Sequence, residues 1–140
     1  IEIHRKERGH DWDTAEVPLK IGETLKNQGV LYKAIVIDCL TLWLSNVMGG
    51  HSETLDRGLK VVEIIDTLVD DLQDIQHSPH RSGDLSYIFI VSNEVGMGIV
   101  PGNSVSRIFR DMAGHLNQKV AQIADEVYLI VSGLPLQLKK

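Results

Sequence analysis

Three short runs in this chain are nearly continuous in apolar and β-branched residues: Ala34–Asp38 (AIVID), Tyr87–Val91 (YIFIV) and Val127–Val131 (VYLIV). A strand covered on one face alternates apolar with polar, whereas a strand covered on both reads as an unbroken apolar run. Long helical patterns fill the intervals. Leu55, Leu59, Val62, Ile65, Val69, Leu72 and Ile75 recur at steps of three and four. Val105, Ile108, Phe109, Met112, Leu116, Val120 and Ile123 do the same, so each pattern makes one apolar stripe. Strand, helix, strand, helix, strand dictates a parallel sheet with right-handed helical crossovers. The expectation is an α/β fold with a mostly parallel sheet covered on both faces.

Local chemistry sets the punctuation. Pro101-Gly102-Asn103-Ser104 is a turn, with Ser104 the expected N-cap of the second long helix. A shorter helix is expected after Pro18, ending at Gly29. His77–Ser86 (HSPHRSGDLS) reads as a loop and as the stretch most open to disorder. Asp66, Asp70, Asp71 and Asp74 fall largely off the first stripe and read as a solvated face, not a metal site. No internal repeat is visible, and residues 1–140 read as a single domain.

Composition narrows the class of function. Cys39 is the one cysteine, which excludes an internal disulfide framework and suits a reducing cytoplasm. Fourteen Lys and Arg against nineteen Asp and Glu give a net charge of -5, the wrong sign for a general nucleic-acid partner. No apolar run nears the ~20 residues of a membrane helix, and no signal peptide opens the chain. The chain begins mid-pattern at Ile1, and an N-terminal segment is expected to be missing.

Ligands of open parallel sheets gather at the carboxyl ends of strands. The first run ends in Asp38. An acid there suits a carboxylate that holds or orients magnesium beside a nucleotide phosphate, or equally a helix N-terminal acid or turn former. The second run ends in Ser92-Asn93-Glu94-Val95-Gly96-Met97-Gly98, a loop pressed against a ligand or simply a turn. At the N-terminus His4 stands among Arg5, Lys6 and Arg8. Guanidinium groups bind phosphate oxygens bidentately, and a neutral imidazole can attack phosphorus. A solvated amphipathic helix accounts for the same residues. A zinc pair of His4 and His10 is the poorest reading, because no second cysteine or i, i+4 histidine accompanies them.

Taken together these blocks resemble one family. Val91–Pro101 (VSNEVGMGIVP) is similar to it, and the likeness runs on through Arg107, Phe109-Arg110-Asp111, Ala113-Gly114, Asn117-Gln118, Ala124–Val127 and Val131-Ser132-Gly133. Asp38–Asn46 (DCLTLWLSN) resembles a second block. His4, Arg8, Trp12, Thr14 and Glu16 reproduce a third, H-x-x-x-R-x-x-x-W-x-T-x-E. The family is the bifunctional adenosylcobinamide kinase and adenosylcobinamide-phosphate guanylyltransferase of cobalamin biosynthesis.

The resemblance implies a P-loop NTPase fold of the RecA-like, three-layer type, and a homotrimer. It implies a kinase that phosphorylates adenosylcobinamide and a second step that transfers GMP from GTP to that phosphate. ATP and GTP are then substrates and magnesium the accompanying ion. By position, His4 falls on the histidine that carries GMP, and Arg5, Lys6, Glu7 and Arg8 on the guanine-nucleotide segment after it. Glu16 and Asp38 fall on two further nucleotide-contacting acids. The family opens with a strand and a G-x-x-x-x-G-K-[ST] loop that cradles phosphates; residues 1–140 do not contain it. The chain is therefore expected to be a fragment or a truncated protein, and the kinase step is implied only with that loop. A sheet lacking that strand is expected to show an open edge or compensating contacts. The alternative is a catalytically incomplete remnant that serves as a binding or assembly subunit.

Overall fold

The computed structural model describes residues 11–28, 31–49, 56–77 and 87–140. In chain order these form α1 (Ile21–Gln28), β1 (Ala34–Asp38), α2 (Leu40–Gly49), α3 (Asp56–His77), β2 (Tyr87–Val91), a 3-10 turn (Val95–Met97), α4 (Ser104–Ile123), β3 (Val127–Val131) and β4 (Leu134–Lys139). The three strands expected from the apolar runs form at those same residues. Strands β1 and β2 pair in parallel, Ala34 opposite Tyr87 through Asp38 opposite Val91. Helix α3 lies between them in sequence, which is the βαβ arrangement.

The core lies between this pair and the helices. Its most buried members are Leu40 and Leu44 of α2, Val61 and Ile65 of α3, and Leu116 of α4. From the sheet, Ile37 is buried, and Ile35, Ile88 and Ile90 pack against the same cluster. These four share one face, because side chains alternate along a strand. On the other face Val36, Tyr87, Phe89 and Val91 are exposed, with the Tyr87 and Phe89 rings stacked at 6.0 Å. The expectation of strands covered on both faces is therefore corrected: among the described residues only one face is covered.

The sheet is also not continuous. Among the described residues β3 pairs with β4, not with β1 or β2. Ser132 (φ 53°) and Gly133 (φ 78°) both take left-handed backbone, as a two-residue hairpin turn matching strand twist requires. This turn folds β4 back antiparallel along β3, from Val131 opposite Leu134 to Val127 opposite Lys139. Lys139 Nζ then donates to Ala121 O at 3.1 Å and Gln122 O at 2.8 Å, which ties β4 to the carbonyl-rich end of α4.

The helical stripes need two adjustments. In α3 the deepest line is Val61, Ile65, Leu68 and Leu72, and Leu59 is exposed. In α4 the buried face begins later than the pattern, with Val105 and Ile108 exposed. The N-cap is Asn103 and not Ser104: Asn103 Oδ1 accepts from Ser106 N at 2.8 Å. The acids of α3 are more than a solvated face. Lys26 Nζ of α1 lies 2.6 Å from Asp71 Oδ1 and 3.1 Å from Asp74 Oδ2, and Lys119 Nζ of α4 lies 2.9 Å from Asp66 Oδ1. Asp71 first, then Asp74, raise the Lys26 ammonium above the ordinary lysine value. Residues 78–86, most of the expected loop, lie outside the described residues, as does Gly29. No helix among the described residues is long and apolar enough to cross a membrane.

Gly22 sets how closely α1 approaches α3. A methyl group there would stand 1.8 Å from Asp71 Oδ2 and 2.7 Å from Asp71 Cβ. Gly22→Ala gains about 1 kcal/mol of helix propensity, but overpacking costs typically ~1–3 kcal/mol. It must also pull Asp71 away from Lys26. The expected net result is a loss of about 1–2 kcal/mol in urea unfolding. The double substitution Gly22→Ala with Asp71→Ala should recover most of it.

Candidate functional site

Asp38 ends β1 and is exposed at its carboxyl edge. The chain passes through a cis Asp38–Cys39 peptide and enters α2 at Leu40. This second helix organises the neighbourhood. Buried Trp43 donates Nε1–H to Leu19 O at 2.9 Å, and Asn46 Nδ2 donates to Pro18 O at 3.3 Å. Val17 packs against the core, and Tyr32 OH donates to Asp13 Oδ2 at 3.2 Å. The segment carrying exposed Glu16 is thus attached to the same helix that leads away from Asp38.

A polar network crosses the carboxyl ends of β1 and β2. Thr41, in the first turn of α2, is the one buried polar residue among the described residues. Its Oγ1 accepts from Asn93 Nδ2 at 2.6 Å and from Asn93 N at 3.3 Å. A hydroxyl has two lone pairs and one proton, so both lone pairs are taken. The proton is left for Cys39 Sγ, 3.3 Å away, which also accepts from Asn93 Nδ2 at 3.9 Å. On the other side Ser92 Oγ donates to Asn117 Oδ1 at 2.6 Å, and Asn117 Nδ2 donates to Asn93 O at 3.3 Å. Three elements, α2, β2 and α4, meet in this cluster.

The chain leaving β2 forms a turn. Glu94 Oε1 accepts from Gly96 N at 2.8 Å, and a methyl group on Gly96 would sit 2.7 Å from that oxygen. Gly96 is thus needed for the folded-back Glu94 carboxylate, whereas Gly98 has an ordinary φ of -82°. Met97 at the end of the turn, and Ile99 and Val100 beyond it, are exposed, Ile99 almost fully at 97%. Arg107 Nη1 donates to Pro101 O at 3.1 Å and Gly102 O at 2.7 Å, so the approach to α4 is held in place.

Of the residues expected to form the site, Glu16 and Asp38 are placed as above. His4, Arg5, Lys6, Glu7 and Arg8, together with His10, lie outside the described residues. Among the described residues no group of three or more His, Cys, Asp or Glu side chains is arranged to hold a metal ion. The sequence offers Ser92–Gly98 as a ligand loop or a turn but does not join Asn93 to Thr41 and Asn117. The one local signal of that network is a polar pair, Ser92-Asn93, at the end of an apolar strand.

A parallel strand pair that carries an acid and a polar network at its carboxyl edge has the build of a ligand-binding α/β protein. The chain belongs to the cobinamide kinase / cobinamide phosphate guanyltransferase family, whose model matches residues 1–138. It is 35% identical over 140 residues to the bifunctional adenosylcobalamin biosynthesis protein CobP of Pseudomonas aeruginosa, covering 99% of this chain and 72% of the relative. Identity to the bifunctional adenosylcobalamin biosynthesis protein CobU is 33% over 142 residues for Salmonella typhimurium and 31% over 142 residues for Escherichia coli. Both alignments cover 99% of this chain and 76% of the relative.

Proposed function

We propose that this protein phosphorylates adenosylcobinamide and then transfers GMP from GTP to the resulting phosphate, yielding adenosylcobinamide-GDP. The observation that carries this reading is the match to the bifunctional family along residues 1–138. It includes the ordered block from His4 to Glu16 and the strand-end Asp38. No observation favours the incomplete-remnant reading over it.

In the guanylyl step a neutral imidazole nitrogen of His4 attacks the α-phosphorus of GTP. The P–O bond to the β-phosphate breaks, and pyrophosphate leaves with its electron pair. A P–N bond now holds GMP on the protein. An oxygen of adenosylcobinamide phosphate then attacks the same phosphorus, and the P–N electron pair returns to the imidazole. Arg5, Lys6 and Arg8 offset the charge that grows on the phosphoryl oxygens. Glu7, Glu16 and Asp38 complete the nucleotide contacts. Magnesium prefers water, phosphate oxygens and one or two carboxylates to an all-protein cage, and exposed Asp38 fits that donor set. With the nucleotide bound, magnesium neutralises phosphate charge.

The same reading gives the uncovered strands a role. In a RecA-like, three-layer arrangement, a strand with a phosphate-cradling loop would stand beside β2 and join the two strand pairs into one sheet. That element is not within residues 1–140, and the kinase step depends on it. We place the protein in the cytoplasm, where its one thiol stays reduced, as a single domain that assembles into a homotrimer through the Met97–Val100 loop. Val100→Glu should convert a trimer to monomers in sedimentation at micromolar concentration. A monomeric wild type, or a trimeric variant, contradicts that assembly.

The functional test is direct. The intact enzyme, given GTP, magnesium and adenosylcobinamide phosphate, should release pyrophosphate and form adenosylcobinamide-GDP in equal amounts. Failure to form either product contradicts the proposal.

A further inference from the structure

We infer that Asn93, braced on Thr41, is a positioning residue for guanylyl transfer: it locks the β1–α2 junction that presents Asp38 to the exit of β2. The inference rests on the reading of Asp38 as a nucleotide-contacting acid. In the strand register Asp38 is opposite Val91, so Asn93 lies two residues beyond that pairing. There it spans the gap to the neighbouring junction, using both backbone N–H and carboxamide on one oxygen, Thr41 Oγ1. These partners are 52 residues apart in sequence, so the contact joins two independent strand exits.

The clamp is held from both sides. Asn117 of α4 fixes the carbonyl of Asn93 and the hydroxyl of Ser92, so Asn93 cannot move without disturbing a third element. On the α2 side, the proton count at Thr41 sends its hydroxyl hydrogen to Cys39, the residue that follows Asp38. The bonds to Thr41 and Cys39 therefore restrain residues within three of Asp38, and those through Asn117 hold Asn93 in turn. The hydroxyl of a residue only 7% exposed costs desolvation that a valine of the same shape would avoid. Packing alone does not call for it. What a fully satisfied polar network adds is a single orientation, here of the junction that carries the nucleotide-contacting acid.

The test uses the intact enzyme with Thr41→Val, Thr41→Ser and Asn93→Ala, each alone and combined with Asp38→Asn. Thr41→Val and Asn93→Ala should raise KM for magnesium–GTP in guanylyl transfer about 5- to 30-fold, less than the loss of Asp38 itself, with kcat within about threefold. Thr41→Ser keeps the hydroxyl and should stay within about threefold of wild type. In the Asp38→Asn background the same substitutions should cost less than about threefold, because the carboxylate they orient is gone. A full loss in that background, an unchanged KM for magnesium–GTP in the single variants, or failure of Thr41→Ser to rescue would each overturn the inference. If Asn93→Ala unfolds, the isosteric Thr41→Val carries the decision. An intact wild type with no guanylyl transfer contradicts the functional reading itself, and the inference with it.

Discussion

Replacing His4 with asparagine is expected to lower guanylyl transfer by at least about a thousandfold while phosphorylation of adenosylcobinamide stays within about threefold of wild type. The size of the effect follows from the role. A covalent carrier is present or absent, and the asparagine amide nitrogen, its lone pair delocalised, is no nucleophile toward phosphorus. The selectivity follows from the chemistry of the first step, in which the substrate hydroxyl attacks the nucleotide directly and no imidazole adduct forms. Separate assays of adenosylcobinamide phosphate and adenosylcobinamide-GDP check both halves. Equal loss in the two assays would show a general defect, and retained guanylyl transfer would remove His4 from the mechanism.

The second large effect concerns Asp38. Asparagine matches its size and removes its charge. Because the side chain is exposed at the strand end, the fold should change by no more than ~0.5 kcal/mol. The affinity for magnesium–GTP should fall about 10- to 100-fold, the loss of one charge-assisted contact at about 1.5–3 kcal/mol. Calorimetric titration with and without magnesium reads this. The difference between the two conditions should be large in wild type and small in Asp38→Asn. Unchanged affinity in magnesium would return Asp38 to a structural role at the start of α2.

Parts of this architecture are legible before any coordinates. β1, β2 and β3 are short and apolar throughout, so their bounds coincide with the runs in the sequence. The long helices α3 and α4 declare themselves by period, though the buried line is rotated enough to leave Leu59, Val105 and Ile108 in solvent. Helix α2 is harder. Six of its ten residues are buried, so its sequence, LTLWLSNVMG, is apolar on most sides and shows little periodicity. β4 is concealed by Pro135 and by its position at an edge, where proline is tolerated. The Ser132-Gly133 pair is the signal that could have exposed the hairpin.

The site divides in the same way. Asp38 is readable because a strand end is a local feature. The Thr41–Asn93 contact is not, because it depends on two strands lying side by side in a register that neither strand encodes alone. The breadth of the uncovered sheet face is equally hidden. An apolar run states that a strand wants two covered faces, not which part of a molecule covers them. Val36, Phe89 and Val91 express that preference without satisfying it among the described residues.

The central claim is that GMP passes through the protein on its way from GTP to the corrinoid phosphate. A chase experiment tests it most directly. The intact enzyme is loaded with GTP labelled in the α-phosphate, freed of nucleotide, and mixed with unlabelled adenosylcobinamide phosphate. The protein should first hold acid-labile, base-stable label, lost in His4→Asn. On the chase that label should leave the protein and appear in adenosylcobinamide-GDP within a single turnover. Product that forms from GTP while the protein never carries label, or label that stays on the protein through the chase, would contradict the account.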